Sequence, residues 1–159
     1  MSVGCYPEKH PESPSIEHDL DVLKAKIDAG ATRAISQMFF DTEAFLRFVD
    51  RVRAAGIDIP IVPGIMPVTN VQGMKRMAAL CQARLPEWMT KLFDGLDQDA
   101  DTRRLVAVSI CSEMCAELEG RGFNEFHFYT LNRADLVFAI CRVLGVTPVG
   151  EQAAKASLS

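Results

Sequence analysis

Hydrophobic and polar positions along the chain form two repeating patterns, short apolar runs and longer amphipathic stretches. Apolar runs at residues 1–7, 34–40, 59–67 and 123–131 have the length of buried strands. Between and after them, apolar residues recur every three to four positions, which predicts helices. The predicted helices begin near residues 16, 42, 70, 87, 102 and 133.

Local start and stop signals support these helices. Ser15 and Asp41 stand where a side chain can accept a hydrogen bond from a free amide of the first helical turn, and Asn70 is expected to begin its helix. Gly30 and Gly56 follow the first two helices as stop signals. Inward-facing stripes are predicted for three helices, at Phe45, Phe48, Val49 and Val52, at Ala107, Cys111, Met114 and Leu118, and at Leu136, Ile140 and Val143.

The order of elements predicts an α/β fold with four parallel strands and flanking helices. Every connection between strands is long enough to cross over and return in parallel. Four such units make half of a TIM (β/α)8 barrel. An open doubly wound sheet is the alternative, but no strand is followed by a GxGxxG turn. We assign residues 1–146 to this half-barrel and residues 147–159 to a polar, loosely held tail.

Composition narrows the function classes. The chain has 159 residues, 48% of them hydrophobic, and a net charge of -4, so one globular core is expected. It has no basic cluster that would attract nucleic acid or an anionic membrane. It also has no apolar run long enough to span a membrane and no signal-peptide pattern, which predicts a cytoplasmic protein.

The five cysteines, at positions 5, 81, 111, 115 and 141, are an odd number without a CxxC pair. We therefore expect free, mostly buried thiols and no metal site.

Polar side chains follow or end several predicted strands. Tyr6, Gln37 and Tyr129 lie near strand carboxyl ends, with His10 and Arg133 just beyond. All five would face one rim of a parallel sheet, where barrel enzymes bind substrates. Each alone is also compatible with a purely structural role, but together they indicate a binding pocket.

The last of these strand ends, at residues 129–135, also starts a helix. Asn132 is predicted to cap that helix and Asp135 to occupy its third position, which leaves Arg133 directed at the rim. Asp19 and Lys26 share one flank of the first helix and would ordinarily be solvated charges. The serines lack the sharp turn that exposes a nucleophile, so the residues predict a binding rim without acid–base machinery.

Four segments together resemble methylenetetrahydrofolate reductases of the bacterial, flavin-containing type. They are Tyr-Pro-Glu-Lys-His-Pro-Glu at 6–12, Asp-Ala-Gly-Ala at 28–31 with Ala-Ile-Ser-Gln-Met-Phe-Phe-Asp at 34–41, Pro-Gly-Ile-Met-Pro at 63–67, and Phe-His-Phe-Tyr-Thr-Leu-Asn-Arg at 126–133. The resemblance runs in order from about Ser2 to Val146.

This resemblance implies a (β/α)8 barrel that binds FAD, takes a hydride from NADH or NADPH, and reduces 5,10-methylenetetrahydrofolate to 5-methyltetrahydrofolate. By position it implies that Tyr6, His10, Asp19 and Lys26 contact FAD. It also implies that Gln37 binds the pterin ring of folate and that Arg133 binds its acidic tail. The sequence does not choose between NADH and NADPH, and it leaves the oligomeric state open, a homo-oligomer included.

The chain also departs from the family pattern. Val22 and Ala25 replace polar flavin contacts, and Gly73, next to Gln72, replaces a glutamine that touches substrate. The resemblance covers only the second half of the family's barrel, so the general acid is expected in the missing N-terminal half. We therefore expect this chain to carry part of both sites and to be inactive alone. The alternative is a non-catalytic half-barrel that acts as a pairing or binding module.

Overall fold

Parallel strands and helices alternate along residues 1–146, the part of the chain that the computed structural model describes. The strands are β1 (Ser2–Cys5), β2 (Arg33–Met38), β3 (Ile61–Ile65) and β4 (His127–Phe128). The helices are α1 (Ile16–Asp28), α2 (Thr42–Ala54), α3 (Val71–Cys81), α4 (Glu87–Lys91), α5 (Ala100–Gly120) and α6 (Ala134–Val143). None of these helices is long and apolar enough to cross a membrane.

The sheet has the strand order β1-β2-β3-β4, and every neighbouring pair is parallel. Crossovers between parallel strands are nearly always right-handed, so strands added in one direction keep their helices on one face of the sheet. A doubly wound sheet would reverse its strand order at a switch point. The sequential order is therefore that of a barrel segment, and the prediction of four parallel strands with flanking helices is confirmed.

The caps predicted at Ser15 and Asp41 form. Ser15 accepts a hydrogen bond from His18 N at 3.2 Å, and Asp41 Oδ1 accepts from Glu43 N at 3.1 Å. Asn70, predicted as the first residue of its helix, instead caps α3 by accepting from Gly73 N. Asp99, which the sequence analysis placed in an acidic loop, caps α5 through Thr102 N at 2.9 Å and so starts that helix two residues earlier than predicted.

The core lies between the sheet and its helices. The Phe45 ring stacks on Phe39 at 4.7 Å and meets the edge of Phe123 at 5.2 Å between ring centroids. In α5 the whole predicted stripe, Ala107, Cys111, Met114 and Leu118, is buried. The five cysteines are free, and those at positions 5, 111 and 115 are buried.

The C-terminal unit differs from its prediction. Residues 123–131 were expected to form a strand, but β4 spans only His127–Phe128 at the sheet edge. Leu131 and Asn132 have φ values of 46° and 62°, a left-handed turn that no strand can continue through. Residues 147–159, assigned to a polar tail, lie outside the described residues.

This turn also moves the start of α6. Arg133, not Asn132, holds the N-cap position, and Asp135 is the second helical residue instead of the third. Val143 was predicted to face inward but is 65% exposed, because α6 is the last helix of the described chain and packs against α5 on one side.

Candidate flavin and folate site

A cavity of about 280 Å³ opens where β1 ends and α1 runs past it. All four residues predicted to contact FAD line it: Tyr6, His10, Asp19 and Lys26. Val22 and Leu23 supply apolar wall from α1. Residues up to twenty positions apart thus meet in one place, because the loop after β1 folds back over the first turns of α1.

Hydrogen bonds hold the loop against the helix. Asp19 Oδ2 accepts from His10 N at 2.9 Å, and Lys26 Nζ donates to the Gly4 carbonyl at 2.9 Å. Glu12 N donates to His10 Nδ1 at 3.1 Å, so a neutral His10 ring carries its proton on Nε2. The Tyr6 and His10 rings meet edge to face, 4.4 Å between centroids.

Burial raises the pKa of two groups at this cavity. Desolvation, with smaller contributions from Cys81 and Asp19, raises the pKa of the Tyr6 phenol. Desolvation also raises the pKa of the Cys5 thiol to about 12, although Lys26 opposes it. Both groups are ordinarily neutral at neutral pH, and the raised pKa values keep them so to higher pH, beside the Lys26 side chain.

Gln37 and Arg133 lie outside the lining of this cavity among the described residues. Gln37 is half-buried near the carboxyl end of β2, and its Oε1 accepts from Met38 N at 3.0 Å. Arg133 is 39% exposed, with its Nε 3.6 Å from Asp135 Oδ1. Asp135 also pairs with Arg104. Loss of solvation acts to raise the pKa of the Asp135 carboxyl, but the two guanidinium groups hold it below its ordinary value.

A network of charged groups joins three loops of the rim. Both carboxylate oxygens of Glu8 accept from Arg84 N, at 2.9 and 2.8 Å. The Arg84 guanidinium lies 3.3 Å from Asp41 Oδ2, and Arg47 lies 3.9 Å from the same oxygen. Burial raises the pKa of Glu8, while the Arg84 amide acts against it. The loops after β1, β2 and α3 are therefore tied together.

Sequence reasoning missed this network and a second cluster at Ser36, Gly64 and Tyr129. Ser36 is fully buried, and its Oγ accepts from Gly64 N at 2.8 Å. The Tyr129 hydroxyl donates to the Ser36 carbonyl at 3.0 Å. The sequence offered one signal of irregular strand pairing here. Pro63, the residue before Gly64, lacks the N–H group that a residue in a central strand normally contributes.

Comparison with known proteins assigns the chain to a family. The sequence profile described as methylenetetrahydrofolate reductase matches residues 1–145. The chain belongs to the methylenetetrahydrofolate reductase family. The resemblance carried by the four sequence segments is thereby confirmed.

Relatives within this family are similar over almost the whole chain. The 5,10-methylenetetrahydrofolate reductase of Pectobacterium carotovorum is 55% identical over 148 residues, which is 93% of this chain and 50% of that protein. The reductase of the same name from Escherichia coli K12 is 53% identical over the same shares. The chain thus spans about half the length of the curated reductases it matches.

A solved structure supports the fold. A protein from Clostridium thermocellum, described as binding two copies of 5-methyl-5,6,7,8-tetrahydrofolic acid, aligns with a TM-score of 0.55 at 14% identity. The alignment covers 89% of this chain and 52% of that protein. At this identity the similarity shows the fold alone, and it again places this chain against about half of a longer one.

Proposed function

We propose that this chain is the C-terminal half of a flavin-dependent methylenetetrahydrofolate reductase barrel. Joined to an N-terminal half, it would reduce 5,10-methylenetetrahydrofolate to 5-methyltetrahydrofolate with NADH or NADPH. The observation that carries the proposal is the convergence of Tyr6, His10, Asp19 and Lys26 on one cavity. The family resemblance selects the same four residues from the sequence alone.

The chemistry of the cavity fits a flavin nucleotide. FAD combines flat aromatic rings with hydroxyl groups and two phosphates. Lys26 and the protonated Nε2 of His10 are a cation and a donor suited to phosphate or hydroxyl oxygens. Tyr6 and Val22 offer apolar surface, and Asp19 holds the His10 loop through its backbone amide. When bound, FAD accepts and passes on the hydride, while these residues bind and orient it.

Gln37 and Arg133 suit the two ends of a folate. A glutamine amide presents a donor and an acceptor side by side, which matches the edge of a pterin ring. A guanidinium group binds carboxylates through paired hydrogen bonds, as the acidic tail of folate requires. Although Arg133 pairs with Asp135, its side chain remains 39% exposed. The guanidinium is therefore accessible to such a ligand.

The edges of the half-barrel favour a partner half. β1 and β4 each pair on one side only within the described sheet. An unpaired strand edge presents N–H and C=O groups that can bond another strand. On the β4 side, Phe138 and Val143 of α6 are 54% and 65% exposed. We propose that an N-terminal half covers these surfaces and supplies the general acid, so that the chain alone has little or no activity. The alternative is that two copies of this chain pair with each other.

The proposal is tested by mixing this chain with the first half of the Escherichia coli relative. We expect the mixture to retain FAD, measured by absorbance near 450 nm after gel filtration, and to reduce methylenetetrahydrofolate. The chain alone should bind FAD weakly or not at all. A stoichiometric yellow complex with reductase activity from the chain alone would contradict the half-barrel proposal, and homodimers that ignore the first half would favour the alternative.

A matched pair of lysines on α1 tests the cavity. Lys26→Met should lower FAD retention by the mixture, because it removes the cation from the cavity wall. Lys24→Met removes the same charge from an exposed position two residues away and should leave FAD retention unchanged. Equal losses in both variants would show that general charge, not the cavity, controls flavin binding.

A further inference from the structure

Strand β2 contains one extra residue where it passes β3. Ile35 is paired with Val62, and Met38 is paired with Gly64. Two residues of β2, Ser36 and Gln37, therefore lie opposite the single residue between Val62 and Gly64, which is Pro63. This is the arrangement of a β-bulge, which bends the strand and redirects a side chain. Gln37, the proposed pterin ligand, is in the bulge.

The bulge takes two backbone groups, Gly64 N–H and the Ser36 carbonyl, out of the regular pairing between β2 and β3. A side-chain atom satisfies each of them. Tyr129 Oη donates to the Ser36 carbonyl at 3.0 Å, and Ser36 Oγ accepts from Gly64 N at 2.8 Å. A buried carbonyl without a partner is costly, so the Tyr129 bond stabilises this backbone conformation.

The space around the bulge is tightly filled. A Cβ at Gly64 would lie 2.3 Å from the Ser36 carbonyl oxygen and 2.7 Å from Tyr129 Cε2. Tyr129 is also anchored by its own backbone, since its N–H donates to the Ile65 carbonyl at 2.8 Å. A tyrosine phenol is ordinarily protonated at neutral pH, and desolvation raises the pKa of Tyr129 further, so the hydroxyl is available as a donor. The ring has little freedom to leave the Ser36 carbonyl.

We propose that Tyr129 is a positioning residue for Gln37. Its hydrogen bond to Ser36 holds the bulge, and the bulge directs the Gln37 amide toward the rim. On the far side of the bulge, Gln37 Oε1 accepts from Met38 N at 3.0 Å, where pairing with β3 resumes. Hydrogen bonds on both sides of the bulge thus hold the orientation of the Gln37 side-chain amide. The inference rests on the proposed function of Gln37 as the pterin ligand.

The first test uses the 159-residue chain and needs no ligand. Tyr129→Phe removes only the phenolic oxygen. In ¹⁵N NMR spectra we expect it to shift the Gln37 side-chain NH₂ resonances and to speed hydrogen exchange at the Gly64 amide. Ser36→Ala removes the other bond of the bulge and should move the same resonances. Thr130→Ala, which removes an exposed hydroxyl from the next residue, should leave them unchanged. Unmoved Gln37 resonances in Tyr129→Phe would overturn the inference.

The second test uses the reconstituted reductase and a double-mutant cycle. Tyr129→Phe should raise KM for methylenetetrahydrofolate about three- to tenfold, the change expected for one neutral hydrogen bond, without loss of FAD. In a Gln37→Ala background the same substitution should raise KM no further, because its effect passes through Gln37. A rise of equal size in both backgrounds would overturn the positioning role.

The two tests separate failure of this inference from failure of the proposed function. If the reconstituted mixture shows no reductase activity while Tyr129→Phe still moves the Gln37 resonances, the proposed function fails and the structural coupling stands. If the mixture is active and Gln37 is insensitive to Tyr129, the inference fails alone.

Discussion

Asp41 combines two structural tasks, and replacing it with alanine should destabilise the chain measurably. Its Oδ1 caps α2 by accepting from Glu43 N at 3.1 Å and from Ala44 N at 3.4 Å. Its Oδ2 pairs with Arg84 at 3.3 Å and with Arg47 at 3.9 Å. Asp41→Ala removes all four contacts at once.

The magnitude follows from how exposed each contact is. Loss of an N-cap side chain costs about 1 kcal/mol, within a range of roughly 0.5–2 kcal/mol. The Asp41 side chain is 13% exposed, but Arg84 and Arg47 are 68% and 52% exposed, so each ion pair contributes at most about 1 kcal/mol and salt weakens it. The total is about 1–3 kcal/mol, most of it from the cap, which lowers Tm by roughly 2–4 °C per kcal/mol in a chain of this size.

Thermal unfolding followed by circular dichroism at 222 nm measures this loss. Asp41→Asn is the matched control, because asparagine still caps a helix but carries no charge. We expect Asp41→Asn to retain most of the stability that Asp41→Ala loses. Adding 1 M NaCl should reduce the difference between wild type and Asp41→Asn and leave the difference between the two variants.

Two results would refute this reasoning. If Asp41→Asn loses as much stability as Asp41→Ala, the ion pairs and not the cap dominate. If neither variant changes Tm, the α2 amides find other partners and the cap contributes nothing. Hydrogen exchange at the Arg84 amide adds a local readout, since that amide is held by Glu8 beside the same network.

Three further predictions follow from the same structure. Arg133→Ala in the reconstituted enzyme should weaken folate binding by about 1–3 kcal/mol while flavin content stays constant, with loss of flavin alone as the contrary result. Burial raises the pKa of the Cys5, Cys111 and Cys115 thiols to about 12. The unfolded chain therefore ionises first, and stability in urea titrations should fall as pH rises above about 9, a trend that would be missing if these thiols were accessible. Phe45→Ala, at a fully buried ring packed between two other phenylalanines, should cost about 3–5 kcal/mol in the same titrations, and a cost below 1 kcal/mol would show a loose core.

The starts of α1 and α2 were predictable because they depend on neighbouring residues. Ser15 and Asp41 each accept from an amide two or three positions ahead, and the sequence displays that spacing directly. The residues of the proposed flavin cavity were also available from the sequence, since the family resemblance selected Tyr6, His10, Asp19 and Lys26. Their roles remain predictions, but their convergence on one cavity is what those roles require.

The unpredicted features depend on contacts between distant residues. The short β4 and the shifted start of α6 follow from two left-handed residues, Leu131 and Asn132. Leucine rarely adopts the left-handed conformation, so the presence of Leu131 did not predict this turn. The exposure of Val143 depends on which neighbours α6 has within the described chain, and the periodic pattern cannot show that.

By itself, the sequence determined the alternation of strands and helices, the parallel half-barrel and the family, because these rest on periodicity, local capping and ordered motifs. The register of β2 against β3 was decided only in three dimensions. Tyr129 and Ser36 are 93 positions apart, and Ser36 and Gly64 are 28 apart, yet these contacts satisfy the backbone groups that the bulge takes out of regular pairing. A serine or a tyrosine is visible in a sequence, but which backbone group its hydroxyl contacts depends on how the strands pack.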